Sequence, residues 1–212
     1  MSILNSTKLP LHVSYRLAQA YAFIIAIILF ILSYIFGRDR LFLWFNDDLG
    51  AFADTFFSYF TYLAEGWIWI PYLLVLVFLL KKDAAFILIN FISSTILTQV
   101  PKNVFWPNVN RPIASGIPTT QIHTVPGVEV HTYNSFPSGH TATAFTLFLI
   151  TVYLFPNKKV ALTGAIYALI CGYSRIYLGQ HFPLDIAGGI IAALLSVALS
   201  IQIRKKLFKK PF

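Results

Sequence analysis

The chain is poor in charge and in cysteine. Only 11% of its 212 residues are charged, and it holds a single cysteine, Cys171. Soluble domains carry about 25% charged residues, so the low value excludes an ordinary soluble domain. A lone cysteine excludes an intramolecular disulfide and any zinc site built from several thiolates. No internal repeat, low-complexity tract or linker divides the chain, and we therefore predict one domain over residues 1–212.

Apolar residues dominate instead. They make up 57% of the chain, and the mean hydropathy is +0.70. A membrane-spanning helix needs about 20 mainly apolar residues. The first apolar run is longer than the h-region of a signal peptide, which favours an uncleaved anchor. The pattern predicts an all-α integral membrane protein with six transmembrane helices, at about residues 17–36, 65–80 (beginning at 65 or 67), 84–100, 141–155, 160–177 and 184–203.

The segment between the first two predicted spans has a different composition. Residues 41–62 are rich in Phe and Tyr and also carry three Asp residues. Such a mixture is typical of an amphipathic helix that lies in the interface plane. We therefore predict an additional amphipathic helix on the outer face of the membrane.

Basic residues are distributed unevenly over the predicted loops. With both termini in the cytoplasm, 11 of the 16 Lys and Arg lie on the cytoplasmic side, namely Lys8, Arg16, Lys81, Lys82, Lys158, Lys159, Arg204, Lys205, Lys206, Lys209 and Lys210. This bias follows the positive-inside rule and predicts a multi-pass protein of the cell inner membrane. The basic tail directly follows a membrane span, so we expect it to contact anionic headgroups of the bilayer rather than nucleic acid.

Three polar segments lie at the outer, periplasmic ends of the predicted helices. Polar groups inside membrane proteins are costly and mark functional sites. Arg recognises phosphate oxygens through its planar fork, and Lys adds a point charge. Together the segments predict an anion-binding site on one face of the molecule. They are Lys102 with Arg111-Pro112, then Pro137-Ser138-Gly139-His140, then Ser174-Arg175 followed by His181 and Asp185.

Two of these segments also predict helix starts. Ser138 is a good N-cap, Gly139 permits close backbone approach, and the free N–H groups of a helix N-terminus bind phosphate. Asp185 follows His181 by four residues, so its carboxylate can reach back to the imidazole and fix the tautomer. That pairing is typical of a catalytic base or nucleophile.

The three segments, in this order and separation, resemble the signature of the type-2 phosphatidic acid phosphatase superfamily. The family includes membrane lipid phosphatases, bacterial non-specific acid phosphatases and vanadium haloperoxidases. The likeness covers the third to sixth predicted helices, while the first two fit the six-helix membrane branch in general layout. One spacing departs from the family: eight residues separate Lys102 from Arg111, where about six are common.

The resemblance implies a metal-independent lipid phosphatase without a cofactor. His181, oriented by Asp185, would attack phosphorus and form a phosphohistidine, and His140 would protonate the leaving group and then activate water. The substrate would be a phosphomonoester or diphosphate of a lipid, such as lipid A, undecaprenyl diphosphate, phosphatidylglycerol phosphate or phosphatidic acid. The phosphate oxygens would be bound by Lys102, Arg111, Ser138, Gly139 and Arg175.

Other interpretations stay open. Lys102 alone fits an interfacial lysine, Ser138 fits a simple helix cap, and His181 with Asp185 fits an i,i+4 pair. The same residues would also serve a lipid phosphotransferase, and the cations alone would serve a non-enzymatic lipid-phosphate transporter.

The long outer loop gives a weaker signal. Residues 113–136 would close over the site or contact a headgroup. His123, Glu129 and His131 match no standard zinc spacing, so we predict no metal site. The sequence makes no prediction of the oligomeric state.

Overall fold

The computed structural model describes residues 11–79 and 83–208, and the described segments are mainly helical. Five basic residues used in the orientation prediction, Lys8, Lys81, Lys82, Lys209 and Lys210, lie outside the described residues, as does the predicted end of the second span at residue 80. The helices are α1 (Leu11–Phe36), α2 (Arg38–Phe45), α3 (Ala51–Phe60), α4 (Trp69–Leu74), α5 (Ala84–Val100), α6 (Gly139–Leu154), α7 (Lys158–Tyr177) and α8 (Pro183–Phe208).

Among the described residues, four helical stretches are long and apolar enough to cross a membrane, namely Val13–Phe36, Ala84–Phe105, Lys158–Tyr177 and Pro183–Leu207. A fifth crossing is possible through Ala51–Ala64 and Gly66–Phe78, which are bent by 54° at Glu65. There the backbone is extended, with φ −75° and ψ 159°, and this interrupts the helix. The chain is therefore an all-helical, multi-pass membrane protein, as predicted.

The fourth predicted span, α6, has 16 residues and is shorter than the other apolar helices. At a rise of 1.5 Å per residue it is about 24 Å long. Residues 141–150 are all buried, and α6 packs against α1, α5, α7 and α8. Because α6 is surrounded by protein, its length is not set by lipid. Its N-terminus instead supplies part of the candidate site.

The segment predicted as one amphipathic helix, residues 41–62, is divided in the structure. Helices α2 and α3 are separated by a turn in which Gly50 has φ 87°, a left-handed conformation that favours glycine. The buried Asn46 side chain donates 2.9 Å hydrogen bonds to the carbonyls of Ile176 and Tyr177 and accepts one of 2.8 Å from the His123 N–H. A continuous helix would lose these bonds, which fasten the segment to the end of α7.

A close approach between α8 and α6 fixes the position of the candidate site. A Cβ atom on Gly189 would lie 2.6 Å from the Ser138 carbonyl oxygen and 2.9 Å from the Thr141 Cβ. The N–H of Ser138 donates a 3.0 Å hydrogen bond to the Asp185 carbonyl. Glycine thus allows the second turn of α8 to contact the first turn of α6.

We expect Gly189→Ala to destabilise the protein by about 1–3 kcal/mol, because the added methyl group meets backbone that cannot move aside. Thermal unfolding in detergent, followed by circular dichroism, measures the effect. Gly66→Ala is the matched control, since its Cβ would have no neighbour within 4 Å. Equal unfolding temperatures for the two variants would contradict the packing argument.

Candidate active site

Six of the eight predicted site residues line one cavity of about 460 Å³. The cavity lies between the bend at residues 64–66, one face of α5 and the N-terminus of α6. On α5 and the helical turn that continues it, the lining residues recur at helical spacing from Phe91 to Lys102, a length of about 16 Å. The six predicted residues that line it are Lys102, Arg111, Gly139, His140, Arg175 and His181.

Lys102 lies in a wide helical turn, Pro101–Phe105, that continues α5 beyond Val100. Its side chain is buried, with 9% of the residue exposed. The longer spacing to Arg111 does not remove Lys102 from the cavity, because the intervening residues form the turn and a surface loop.

The guanidinium of Arg111 is held from three sides. Its Nε donates to the Tyr133 carbonyl at 2.9 Å, and its Nη1 donates to the carbonyl and the Oε1 of Gln180 at 3.2 and 3.1 Å. Burial lowers the pKa of Arg111 from its usual value, and the nearby Asp185 carboxylate opposes that shift. These bonds fix the direction in which the guanidinium faces the cavity.

Arg175 comes from the last turn of α7. The helix ends where Gly179 takes φ +68°, and the N–H groups of Gln180 and His181 then donate to the Arg175 carbonyl at 2.9 and 3.1 Å. The chain therefore turns back after α7, and His181 lies close to Arg175. The Nη1 of Arg175 donates to the Thr61 Oγ1 at 2.8 Å, whereas its buried Nε has no hydrogen-bond partner among the described residues.

No carboxylate among the described residues forms an ion pair with these three cations. Among the described residues, the ion pairs within 4.0 Å involve other side chains, and none includes Lys102, Arg111 or Arg175. Buried charges are costly unless an opposite charge compensates them. A bound oxyanion would supply that charge and would satisfy the Arg175 Nε.

His181 and Asp185 form a buried pair. Their Nδ1 and Oδ2 atoms lie 3.3 Å apart, and each side chain is 2% exposed. The same carboxylate oxygen accepts a 2.9 Å hydrogen bond from the Phe182 N–H and another from the Ser135 hydroxyl. With a carboxylate at Nδ1, that nitrogen carries the proton and Nε2 keeps its lone pair. Burial, and then the positive charges of Arg111, Lys102 and Arg175, hold the pKa of His181 well below its ordinary value.

Ser138 and Asp185 do not line the cavity. The Ser138 Oγ caps α6, accepting from the Thr141 N–H at 3.4 Å and from the Thr141 hydroxyl at 3.0 Å. Asp185 contacts the cavity only through His181. The helix cap predicted at Ser138 is thus confirmed, and its role as a phosphate ligand stays a prediction.

Four further residues belong to the site and were missed from the sequence. Ser135 and Gln180 flank the second and third polar segments, so their positions carried a signal. Thr61 had none, because it reaches the site from a distant segment, whereas His131 lies on the outer loop that the sequence predicted to close over the site. His131 lines the cavity, and 56% of its side chain is exposed.

A separate cluster has the ligand types of a metal site. One side-chain atom from each of Asp48, Asp54 and His123 lies within 4.8 Å of the others. Asp54 also accepts a 2.6 Å hydrogen bond from the Tyr177 hydroxyl and lies 3.0 Å from the His123 Nε2. None of the three ligand candidates lines the cavity. A cation bound there would not contact an anion in the cavity.

We expect Lys102→Met to stabilise the anion-free protein by about 1–3 kcal/mol, because it removes one of three like charges from a buried site. The same change should weaken the rise in unfolding temperature that inorganic phosphate causes. Thermal unfolding with and without phosphate measures both effects. Lys159→Met, at an exposed position of α7, should change neither. A phosphate effect equal to that of the unaltered protein would contradict anion binding by Lys102.

Comparison with known proteins agrees with this geometry. The chain matches the PAP2 superfamily over residues 83–209. The undecaprenyl-diphosphatase of Sulfolobus acidocaldarius is 34% identical over 140 residues, which are 65% of this chain and 64% of that protein. A lipid A 4'-phosphatase of Porphyromonas gingivalis is 34% identical over 174 residues, 77% of this chain and 72% of that protein.

The fold has a solved counterpart. The crystal structure of Aquifex aeolicus LpxE has a TM-score of 0.66 and 29% identity, over 78% of this chain and 94% of that one. Among the curated relatives, the chain spans between 23% and 72% of the relative's length. The matched segment contains all eight residues that the three polar segments contribute to the predicted site, and the chain belongs to the PAP2 superfamily.

Proposed function

We propose that the chain hydrolyses a phosphomonoester or diphosphate of a lipid through a phosphohistidine on His181. One observation carries the proposal: three buried cations, which form no ion pair with a described carboxylate, line a single cavity together with the imidazoles of His140 and His181. Three fixed positive charges match the oxygens of a transferring phosphoryl group, on which charge is spread in the transition state.

The first step uses the imidazole of His181. Its Nε2 attacks phosphorus while the bond from phosphorus to the leaving oxygen breaks, and Asp185 stabilises the resulting charge on the ring. His140, at the start of α6, gives a proton to the leaving lipid oxygen. Lys102, Arg111 and Arg175 bind the equatorial oxygens, together with the N–H groups at the N-terminus of α6.

The second step reverses the role of His140. It removes a proton from water, whose oxygen attacks phosphorus and releases inorganic phosphate and neutral His181. This cycle balances without a metal ion, because the fixed cations neutralise the phosphate charge. The similarity to proteins named as a lipid A 4'-phosphatase and an undecaprenyl-diphosphatase supports a lipid phosphate or diphosphate as substrate.

The shape of the cavity also favours an amphiphilic substrate. Its wall descends along α5 from Lys102 to Phe91, facing Trp69. A lipid whose tails remain in the bilayer would present its headgroup from this side. His131, on the long outer loop, is the side chain placed to contact the rest of the headgroup.

The proposed topology has six crossings, with the bent segment and the buried α6 as the second and fourth. Both termini then lie in the cytoplasm, in the inner membrane, and the cavity opens at the periplasmic face. Arg16, Lys158, Lys159 and Arg204 support this orientation, since they lie at the helix ends opposite the cavity.

We expect His181→Ala to reduce phosphate release from lipid phosphates by about 10³-fold or more, because the variant lacks the imidazole that Asp185 orients for attack. Release should persist in the presence of EDTA for the unaltered protein and should be inhibited by vanadate. His123→Ala is the matched control, since this imidazole lies outside the cavity. A ³²P-labelled substrate should label the unaltered protein with an acid-labile phosphoryl group. The absence of this label in His181→Ala would identify the phosphohistidine. Undiminished phosphate release by His181→Ala would overturn the proposal.

The pH dependence should reflect the lowered pKa of His181. An imidazole of ordinary pKa, 6.5, becomes protonated below that pH and loses its nucleophilic lone pair. In the free enzyme, therefore, kcat/KM should fall through protonation of His181 only below pH 6.5, which gives the acid limb of the pH profile. Lys102→Met removes a neighbouring positive charge, which raises the pKa of His181 and moves the limb to higher pH. The substrate's own ionisation is measured separately by ³¹P NMR. A limb that stays in place in Lys102→Met would contradict this account.

A further inference from the structure

A second cavity lies on the opposite side of α5 from the candidate active site. It is a groove of about 630 Å³ between α1, α5 and α8, and none of its lining residues lines the catalytic cavity. On α8 it runs from Leu184 to Leu195, about 16 Å at 1.5 Å per residue. One leaflet of the hydrocarbon core is about 15 Å thick, half of the usual 30 Å. The groove therefore extends over the depth of one leaflet.

Small residues on two helices create the recess. Ala26 on α1 and Ala187, Gly188 and Ala192 on α8 line it, and larger neighbours form its walls. A Cβ atom on Gly188 would lie 2.4 Å from the Phe136 ring. The groove thus closes at its upper end against Phe136. Its lining is almost entirely apolar, and apolar residues at this depth meet hydrocarbon rather than water.

A half-buried cation, Arg38, lies at the upper rim, with 36% of its side chain exposed. Arg38 lies two residues beyond the candidate span Val13–Phe36 and lines the groove. Its guanidinium lies 4.2 Å from the centroid of the Phe182 ring, and its Nε contacts the Asp39 carboxylate at 3.0 Å. The two terminal nitrogens of the fork have no bond to another described residue. Trp106, just beyond the outer end of α5, lines the same rim, where aromatic side chains favour the headgroup level.

We propose that this groove binds one acyl chain of an anionic bilayer phospholipid whose phosphate is held by Arg38. The length of the groove, its apolar lining and the cation at its rim match these two parts of a phospholipid. Asp185 lines the end of the groove, and His181 lines the catalytic cavity. The bound lipid would therefore lie directly behind the buried His181–Asp185 pair, without touching the substrate.

Quenching of Trp106 fluorescence by a brominated phospholipid tests the proposal at the groove itself. The assay uses a variant in which Trp106 is the only tryptophan (Trp44→Phe, Trp67→Phe and Trp69→Phe), in detergent titrated with dibromo-phosphatidylglycerol. We expect saturable quenching at a low mole fraction of lipid. Arg38→Gln should raise the half-saturating mole fraction about fivefold, the equivalent of about 1 kcal/mol for one basic residue.

Two matched controls separate binding in the groove from general contact with lipid. Arg40→Gln removes the neighbouring cation of α2, which does not line the groove, and should leave the titration unchanged. Ala26→Phe fills the groove and should abolish saturation, whereas Ala20→Phe, on an exposed position of α1, should not.

The quenching titration does not depend on phosphatase activity. Its result can therefore be interpreted even if the proposed function is wrong. In the chain with all four tryptophans, Arg38→Gln should show a cooperative thermal unfolding transition by circular dichroism in detergent, as the unaltered protein does, which shows that the variant folds. Arg38→Lys, which keeps the charge, should restore part of the affinity. Equal titrations for Arg38→Gln and Arg40→Gln, or saturable quenching that survives Ala26→Phe, would overturn the proposal.

Discussion

Lys102, Arg111 and Arg175 bring like charges into one buried cavity, and much of the outer half of the molecule is arranged to hold them there. Gln180 and the Tyr133 carbonyl hold Arg111, and Thr61 holds one nitrogen of Arg175. None of these partners carries a charge, so the repulsion remains until an anion enters. If the cavity binds phosphate as proposed, the free energy that the empty cavity costs in stability would become affinity for that anion, the usual relation between a functional site and its fold.

The buried pair of His181 and Asp185 connects two environments. The imidazole lines the polar cavity, and the carboxylate lies behind it at the end of an apolar groove. Three donors converge on one carboxylate oxygen, from His181, Phe182 and Ser135. Three bonds to this oxygen restrain the carboxylate, and in the proposed mechanism this would fix the ring orientation that an in-line attack requires. Gly189, where α8 meets α6, keeps His140 on the facing side of the cavity.

Particular residues show how far the sequence could be interpreted. Arg111, His140, Arg175 and His181 were predicted because charged and aromatic nitrogen groups stand out in an apolar chain, and their convergence follows from a shared membrane face. Ser138 was predicted as a helix cap and as a phosphate ligand, and in the structure its hydroxyl caps α6. Thr61 could not be predicted as a residue of the site, since a single threonine in an aromatic segment gives no periodic signal. The division between α2 and α3 was missed because the bonds that favour it, from Asn46 to α7, join residues 130 positions apart.

Composition and local pattern by themselves determined the membrane class, the approximate places of the helices and the three polar segments. Composition and local pattern are sufficient for these predictions, because the transfer of a helix into the bilayer and the start of a helix depend on residues that are close in sequence. The tertiary structure decided which polar groups meet: that Lys102 reaches the cavity despite its unusual spacing, that α6 is enclosed by protein, and that Arg38 borders a separate groove. Those outcomes depend on packing between distant helices, where a few small residues such as Gly189 and Ala26 set how closely backbones approach.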